Sequence, residues 1–254
     1  VRVLGALVAA CGDLSLAEDA LQDACAQALR AWPDAGIPRN PAAWLTTVAR
    51  RRIIDLVRRD QRFEPLARYL VSKGFAVFVP TRLGYGDTYG QADPEDGGLC
   101  DATRPEPASI AASDQVLATV ELARTLPWVD ASRWVAIGQS VGGLATVAVT
   151  WRNPPGLVAA INFSGGSGGN PLLRPGNPCS PQNIEKLWRD KAGASPVPML
   201  WLYWQNDLYW GADWPQRWAR AWQEGGGKLE FHQLPASGQD GHNGMGSDMD
   251  HWVP

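Results

Sequence analysis

The feature that most constrains this chain is a change of hydrophobic period near Phe63. Up to that point apolar residues recur at three- and four-residue spacings, as on helices with one buried face. Beyond Glu64, short runs of Val, Ile, Leu, Phe and Trp alternate with helical stretches, the pattern of a mostly parallel sheet with crossover connections. The 254 residues therefore read as two units, a helical segment over 1–63 and an α/β domain over 64–254. The charge balance changes at the same place. Residues 1–63 hold nine Arg, no Lys and seven acids, and the rest hold 14 basic and 19 acidic groups. A net charge of −3 excludes a molecule-wide attraction to nucleic acid or anionic lipid. With 45 % apolar and 19 % charged residues, wholesale disorder is excluded. No stretch approaches the roughly 20 apolar residues that span a bilayer, so no membrane partner is expected.

Three helices are expected in the first segment. Leu4, Leu7, Val8 and Cys11 share one face, and Gly12 closes that helix. Arg2, the apolar run Val3 to Ala10 and Cys11 also resemble a short lipoprotein signal, but eight apolar residues are at the lower limit for one. Ser15-Leu-Ala-Glu18 reads as a capping box, followed by the stripe Leu21, Cys25, Ala28, Leu29 and Trp32 up to Pro33. Asn40 with Pro41 starts a third helix running to about Arg62. Its apolar face carries Trp44, Leu45, Val48, Ile53, Leu56 and Val57, and its other face Arg50, Arg51, Arg52, Arg58 and Arg59.

The runs Gly12-Asp-Leu-Ser-Leu-Ala-Glu-Asp-Ala-Leu-Gln-Asp-Ala24, Ala31-Trp32-Pro33 and Asn40-Pro-Ala-Ala-Trp-Leu-Thr-Thr-Val-Ala-Arg-Arg-Arg-Ile-Ile-Asp55 resemble region two of an extracytoplasmic-function sigma factor over about 62 residues. The resemblance implies that Glu18, Asp19 and Asp23 face RNA polymerase. It also implies that Arg51, Arg52, Arg58 and Arg59 approach the phosphates of promoter DNA. A solvated Arg-rich helix face is the alternative reading of the same arginines. Nothing after Phe63 reads as the second helical domain with a helix-turn-helix that a sigma factor uses for the −35 element.

In the second segment five strands are expected: Ala76 to Pro80, Trp134 to Gly138, Val158 to Phe163, Met199 to Trp204 and Lys228 to Leu234. Helices are expected over 65–73, 109–126, 141–151, 184–192 and 214–224. Gly84 to Pro107 reads as an ordered functional loop or lid. Gly138-Gln139-Ser140-Val141-Gly142 falls between a strand and a helix, where a nucleophile elbow lifts a serine hydroxyl above the sheet. A serine needs a histidine to take its proton and a carboxylate to orient that histidine, in the chain order Ser, acid, His. Asp207 follows one strand and His242 the last, both at carboxyl ends where sites in open sheets collect. Asp213 and Asp240 are rival acids. His232, within a strand, and His251, near the end, are rival histidines.

Leu66-Ala-Arg-Tyr-Leu-Val-Ser-Lys-Gly-Phe-Ala-Val-Phe-Val-Pro80, Arg82-Leu-Gly-Tyr-Gly-Asp87, the Ser140 elbow, Ile161-Asn-Phe-Ser-Gly-Gly166 and the Asp207 and His242 loops together resemble a serine α/β-hydrolase of the dienelactone hydrolase family, over about 190 residues. The implied fold is an α/β-hydrolase sheet lacking its first strands. The implied activity is hydrolysis of a small carboxylic ester or related acyl substrate through Ser140, Asp207 and His242, without metal or organic cofactor. The Val141 N–H would be one oxyanion donor. Trp204, Tyr209, Trp210 and Trp214 would line an apolar acyl pocket, or pack as ordinary core aromatics. The strand and His-Gly loop that give this fold its second oxyanion donor have no counterpart, which impairs the expected activity. The competing function is an RNA polymerase- or DNA-binding fragment of sigma-factor origin fused to an inactive hydrolase remnant.

Cys11 and Cys25 lie in Ala-rich helical sequence, whereas Cys100 and Cys179 lie in Gly/Pro loops and are the expected pair if a disulfide forms. A sigma-like segment suits the cytoplasm, and a Cys100–Cys179 disulfide suits the periplasm.

Overall fold

The structure, a computed structural model, describes residues 2–12, 14–83 and 98–253. It divides into two compact units, one built on Val1–Lys73 and the other on Gly74–Pro80 with Pro94–Pro254.

The first unit is α1 (Arg2–Cys11), α2 (Leu14–Ala35) and α3 (Pro41–Ser72). Gly12, at φ +72°, ends α1 by donating its N–H to the Val8 carbonyl at 2.8 Å. The Asn40 side chain accepts the Ala43 N–H at 3.1 Å and Pro41 occupies the first helical position, as the sequence predicts for α3. Two expectations fail at helix ends. Ser15 lies inside α2, one residue past its start, and Pro33 lies in the last turn rather than beyond it. Likewise α3 does not stop near Arg62 but continues through Pro65 to Ser72, so the predicted helix from Pro65 is its last part. The core of this unit is small: Leu7, Ala17, Ala20, Ala24, Ala49 and Ile53, with Leu4, Leu21, Leu45 and Val48 packed around it. Alanines let helix backbones approach closely but bury little area each.

The second unit is α/β, with α4 (Pro105–Arg124), β1 (Trp134–Gln139), α5 (Val141–Trp151), β2 (Leu157–Phe163), α6 (Pro181–Ala192), β3 (Met199–Trp204), α7 (Asp213–Glu224), β4 (Leu229–Leu234), α8 (Gly244–Ser247) and α9 (Met249–Trp252). The four strands form one all-parallel sheet in the order β1-β2-β3-β4, with Ile137 opposite Ile161, Asn162 opposite Trp201 and Trp204 opposite Leu234. Helix α5 packs on β1 and β2, α4 on α5, and α7 on β4 and α6. The core is aromatic. Trp188, Trp201 and Trp222 cluster with ring separations of 4.7 and 5.9 Å, and Trp218 lies 5.4 Å from Trp188.

The sequence predicts about five strands; four form among the described residues. Ala76–Pro80 runs without regular secondary structure and joins no ladder, although Phe78 stacks on Trp128 at 6.4 Å. A strand needs a neighbour at about 4.8 Å to take its backbone groups. In the resembled fold another strand lies between this run and β1, and none stands there among the described residues. The predicted lid over Gly84 to Pro107 falls largely outside the described residues. Its described end forms a 3-10 turn at Cys100–Ala102 and the first turn of α4. Cys100 and Cys179 form the expected disulfide, which closes 79 residues of chain and has the Arg174 guanidinium against both sulfurs.

Candidate active site

Strand β1 ends at Gln139 and α5 begins at Val141, so Ser140 alone makes the turn between them. It does so at φ +58° and ψ −123°, a conformation that side-chain-bearing residues rarely adopt and that costs on the order of 1–3 kcal/mol. Three backbone hydrogen bonds hold it there. Its N–H donates to the Phe163 carbonyl at 3.0 Å, and its carbonyl accepts from Leu144 at 3.0 Å and Gly166 at 3.2 Å. A Cβ on Gly138 would run into the backbone of Gly142, and one on Gly143 into the Asn162 side chain and Gly165. Gly142 itself has open space at that position. The tight glycines of the elbow are therefore Gly138 and Gly143. The Val141 N–H, in the unsatisfied first turn of α5, has no acceptor among the described residues.

Asp207 sits in the loop after β3 and His242 in a 3-10 turn, Gly241–Asn243, after β4. Each is only 2 % exposed, and His242 Nδ1 lies 3.1 Å from both carboxylate oxygens of Asp207. Asp207 Oδ1 also accepts the N–H of Tyr209 at 2.8 Å and of Trp210 at 3.2 Å. A carboxylate accepts only, so this pairing puts the imidazole proton on Nδ1 and leaves Nε2 as the acceptor of the ring. The turn carrying His242 is fixed from two sides. Asp240 Oδ1 accepts the His242 N–H and the Leu208 N–H, both at 3.0 Å, and Gln139 Nε2 donates to the His242 carbonyl. No hydrogen bond joins Ser140 Oγ to His242 among the described residues; in unliganded sites that bond is often long.

The rivals are elsewhere. His232 is exposed on β4 beside Glu230, and His251 is exposed beside Asp248. Asp213 is exposed in the first turn of α7, and Asp240 orients the His242 backbone rather than its ring. Gln139 and the positioning part of Asp240 are not legible in the sequence; the only signal is adjacency to Ser140 and His242.

The predicted pocket aromatics separate. Trp204 is wholly buried, stacked on Phe163 at 6.4 Å with its Nε1 donating to Asp248 at 2.7 Å. Trp210 is 1 % exposed, and its Nε1 donates to the Ser164 carbonyl at 2.7 Å. Neither has a surface to offer a substrate, because β3 and its following loop turn them into the core. Trp214 is half-buried under the Arg217 guanidinium, 4.2 Å from its ring, and borders a hollow of about 400 Å³ on α7 that contains none of Ser140, Asp207 and His242. Tyr209 is half-buried and stacks on His242. Among the described residues no group of three or more His, Cys, Asp or Glu is placed to hold a metal ion, and no helix is long and apolar enough to cross a membrane.

In the helical unit Glu18 is exposed and Asp23 half-buried on α2. Arg51, Arg52, Arg58 and Arg59 lie on α3, and their side chains, with that of Asp19, are outside what the structure describes.

Residues 1–63 match the family model Sigma-70 region 2. An uncharacterized protein of Rhizobium meliloti is 51 % identical over 61 residues, which are 24 % of this chain and 14 % of that protein. The chain thus spans a small part of the curated relative it matches. Among solved structures, the uncomplexed acylaminoacyl peptidase of Pyrococcus horikoshii is similar with a TM-score of 0.44 at 20 % identity, over 65 % of this chain and 27 % of that one. The naproxen esterase of Bacillus subtilis is similar with a TM-score of 0.39 at 12 % identity, over 56 % of this chain and 63 % of the esterase.

Proposed function

We propose that the α/β unit is a serine hydrolase of the dienelactone hydrolase and esterase type, acting on a small carboxylic ester or related acyl substrate. The observation that carries this is the strained Ser140 elbow in one sheet with a buried His242–Asp207 pair joined at 3.1 Å, in the chain order Ser, Asp, His. In the proposed reaction His242 Nε2 takes the Ser140 proton as Oγ attacks the acyl carbon. The Val141 N–H receives the oxyanion, and Asp207 holds the imidazolium. Collapse expels the alcohol, which takes its proton from His242, and leaves an acyl group on Ser140. Water, deprotonated by the same histidine, then releases the acid. With one oxyanion donor in place of two among the described residues, turnover is expected about 10²- to 10³-fold below a complete site. The test is steady-state hydrolysis of short-chain p-nitrophenyl esters by the full chain, with Ser140→Ala and His242→Ala alongside. Turnover lost in both variants supports the reading; turnover unchanged in both overturns it.

A second reading is favoured by the Sigma-70 region 2 match. Residues 1–63 would bind RNA polymerase through Glu18, Asp19 and Asp23 and promoter DNA through Arg51, Arg52, Arg58 and Arg59, beside an inactive hydrolase remnant. Capture of core polymerase by the full chain, lost on reversing the charges of Glu18 and Asp23, together with no esterase turnover, would favour it.

A further inference from the structure

Three residues of the loop after β3, Asp207, Tyr209 and Trp210, converge on one imidazole. Asp207 meets its Nδ1, and Tyr209 and Trp210 each give an N–H to Asp207 Oδ1. The two aromatic rings then close on His242 itself. Tyr209 stacks on the imidazole face, with centroids 3.9 Å apart and planes 21° apart, and Trp210 meets it at 5.6 Å and 66°. We propose that Tyr209 and Trp210 are positioning residues, an aromatic clamp that holds the His242 imidazole in the orientation it needs as a base; this rests on the triad proposed above.

The need for a clamp follows from the geometry of the pair. Hydrogen bonding at Nδ1 alone leaves the ring free to pivot about the line to Asp207, which swings Nε2 away from Ser140. A ring stacked on the face blocks that pivot, and a second ring at a steep angle blocks the tilt. The clamp is itself rigid. The Trp210 indole is fixed through Nε1 to the Ser164 carbonyl at 2.7 Å and backed by Trp218 at 5.7 Å. A Cβ added to Gly166 or Gly169 would press on the Trp210 ring, and at Gly169 also on Tyr209. The loop after β2 therefore carries glycine where these rings need room. The Tyr209 face also favours the charged imidazolium that forms as Ser140 loses its proton, through a cation–π interaction. Misplacement of a reacting group by about 1 Å costs on the order of 10² in rate.

The test compares Tyr209→Phe, which keeps the stack, with Tyr209→Leu, which does not. For ester hydrolysis, the Leu variant is expected to lose tenfold or more in kcat relative to the Phe variant, with KM within about threefold. A Leu variant that raises KM at unchanged kcat makes Tyr209 a pocket wall and overturns the proposal. A second readout does not depend on turnover: the imidazole nitrogen resonances of His242 in the full chain. Wild type and Tyr209→Phe should show one fixed tautomer protonated at Nδ1, and Tyr209→Leu an averaged one. Unchanged His242 resonances in a folded Leu variant overturn the clamp. Absence of turnover in wild type, with the resonance difference present, overturns only the hydrolase reading.

Discussion

The two units solve the problem of burying a core in opposite ways. The helical unit packs Ala17, Ala20, Ala24 and Ala49 between close helices, with Leu7 and Ile53 as its large members. The sheet unit fills its interior with Trp188, Trp201, Trp218 and Trp222, all fully buried. Small side chains bring backbones together and make helix spacing the quantity under constraint; indoles make side-chain shape the quantity under constraint. The first arrangement should therefore be most sensitive to added volume and the second to removed volume.

The largest expected effect is in the sheet unit. Trp201→Ala, at a fully buried position in register with Asn162 and Phe231, should cost about 3–5 kcal/mol. Urea denaturation followed by tryptophan fluorescence reads it, since all but Trp32 and Trp44 lie after residue 63. Next comes added volume in the helical unit: Ala20→Leu, at a fully buried site, should cost about 1–3 kcal/mol in far-ultraviolet circular dichroism melts. Equal tolerance of Ala20→Leu and of a surface Ala→Leu would break the contrast.

A smaller effect is expected from Tyr203→Phe. Tyr203 is buried in β3, donating to the Gly165 carbonyl at 2.7 Å and accepting from Asn162 Nδ2 at 3.1 Å. Its loss leaves a buried amide and carbonyl unpartnered, for about 1–2 kcal/mol at neutral pH. Burial raises the Tyr203 phenol above its ordinary value near 10.0. A folded-state value above the unfolded one gives stability that is whole below about pH 10 and is lost as the pH rises beyond it. Tyr203→Phe should therefore lessen the alkaline loss of stability, so that the gap between variant and wild type narrows above pH 10.

The same contrast explains what the sequence made legible. Asn40 with Pro41 starts α3 as expected because a cap is a local interaction. Met199–Trp204 and Val141–Trp151 are found at their predicted bounds, since a short apolar run between loops leaves little choice. Ala76–Pro80 has a strand's composition and no strand, because pairing depends on a neighbour that composition does not reveal. The proposed triad of Ser140, Asp207 and His242 is readable from chain order and strand ends. The positioning parts of Gln139, Asp240 and the ring of Tyr209 are not, because they depend on where loops distant in sequence meet. Nearness to Asp207 leaves Trp204 and Trp210 open to pocket lining or core packing, and both are buried, because nearness in sequence does not decide which side of a strand end a side chain takes.

The central claim, that Ser140 is an activated nucleophile, is tested most directly by reacting the purified full chain with a fluorophosphonate and mapping the adduct by mass. The account predicts one adduct, on the peptide bearing Ser140, absent in Ser140→Ala and much slower in His242→Ala. A folded wild-type chain that takes up no adduct, or takes it up equally in Ser140→Ala, would contradict it.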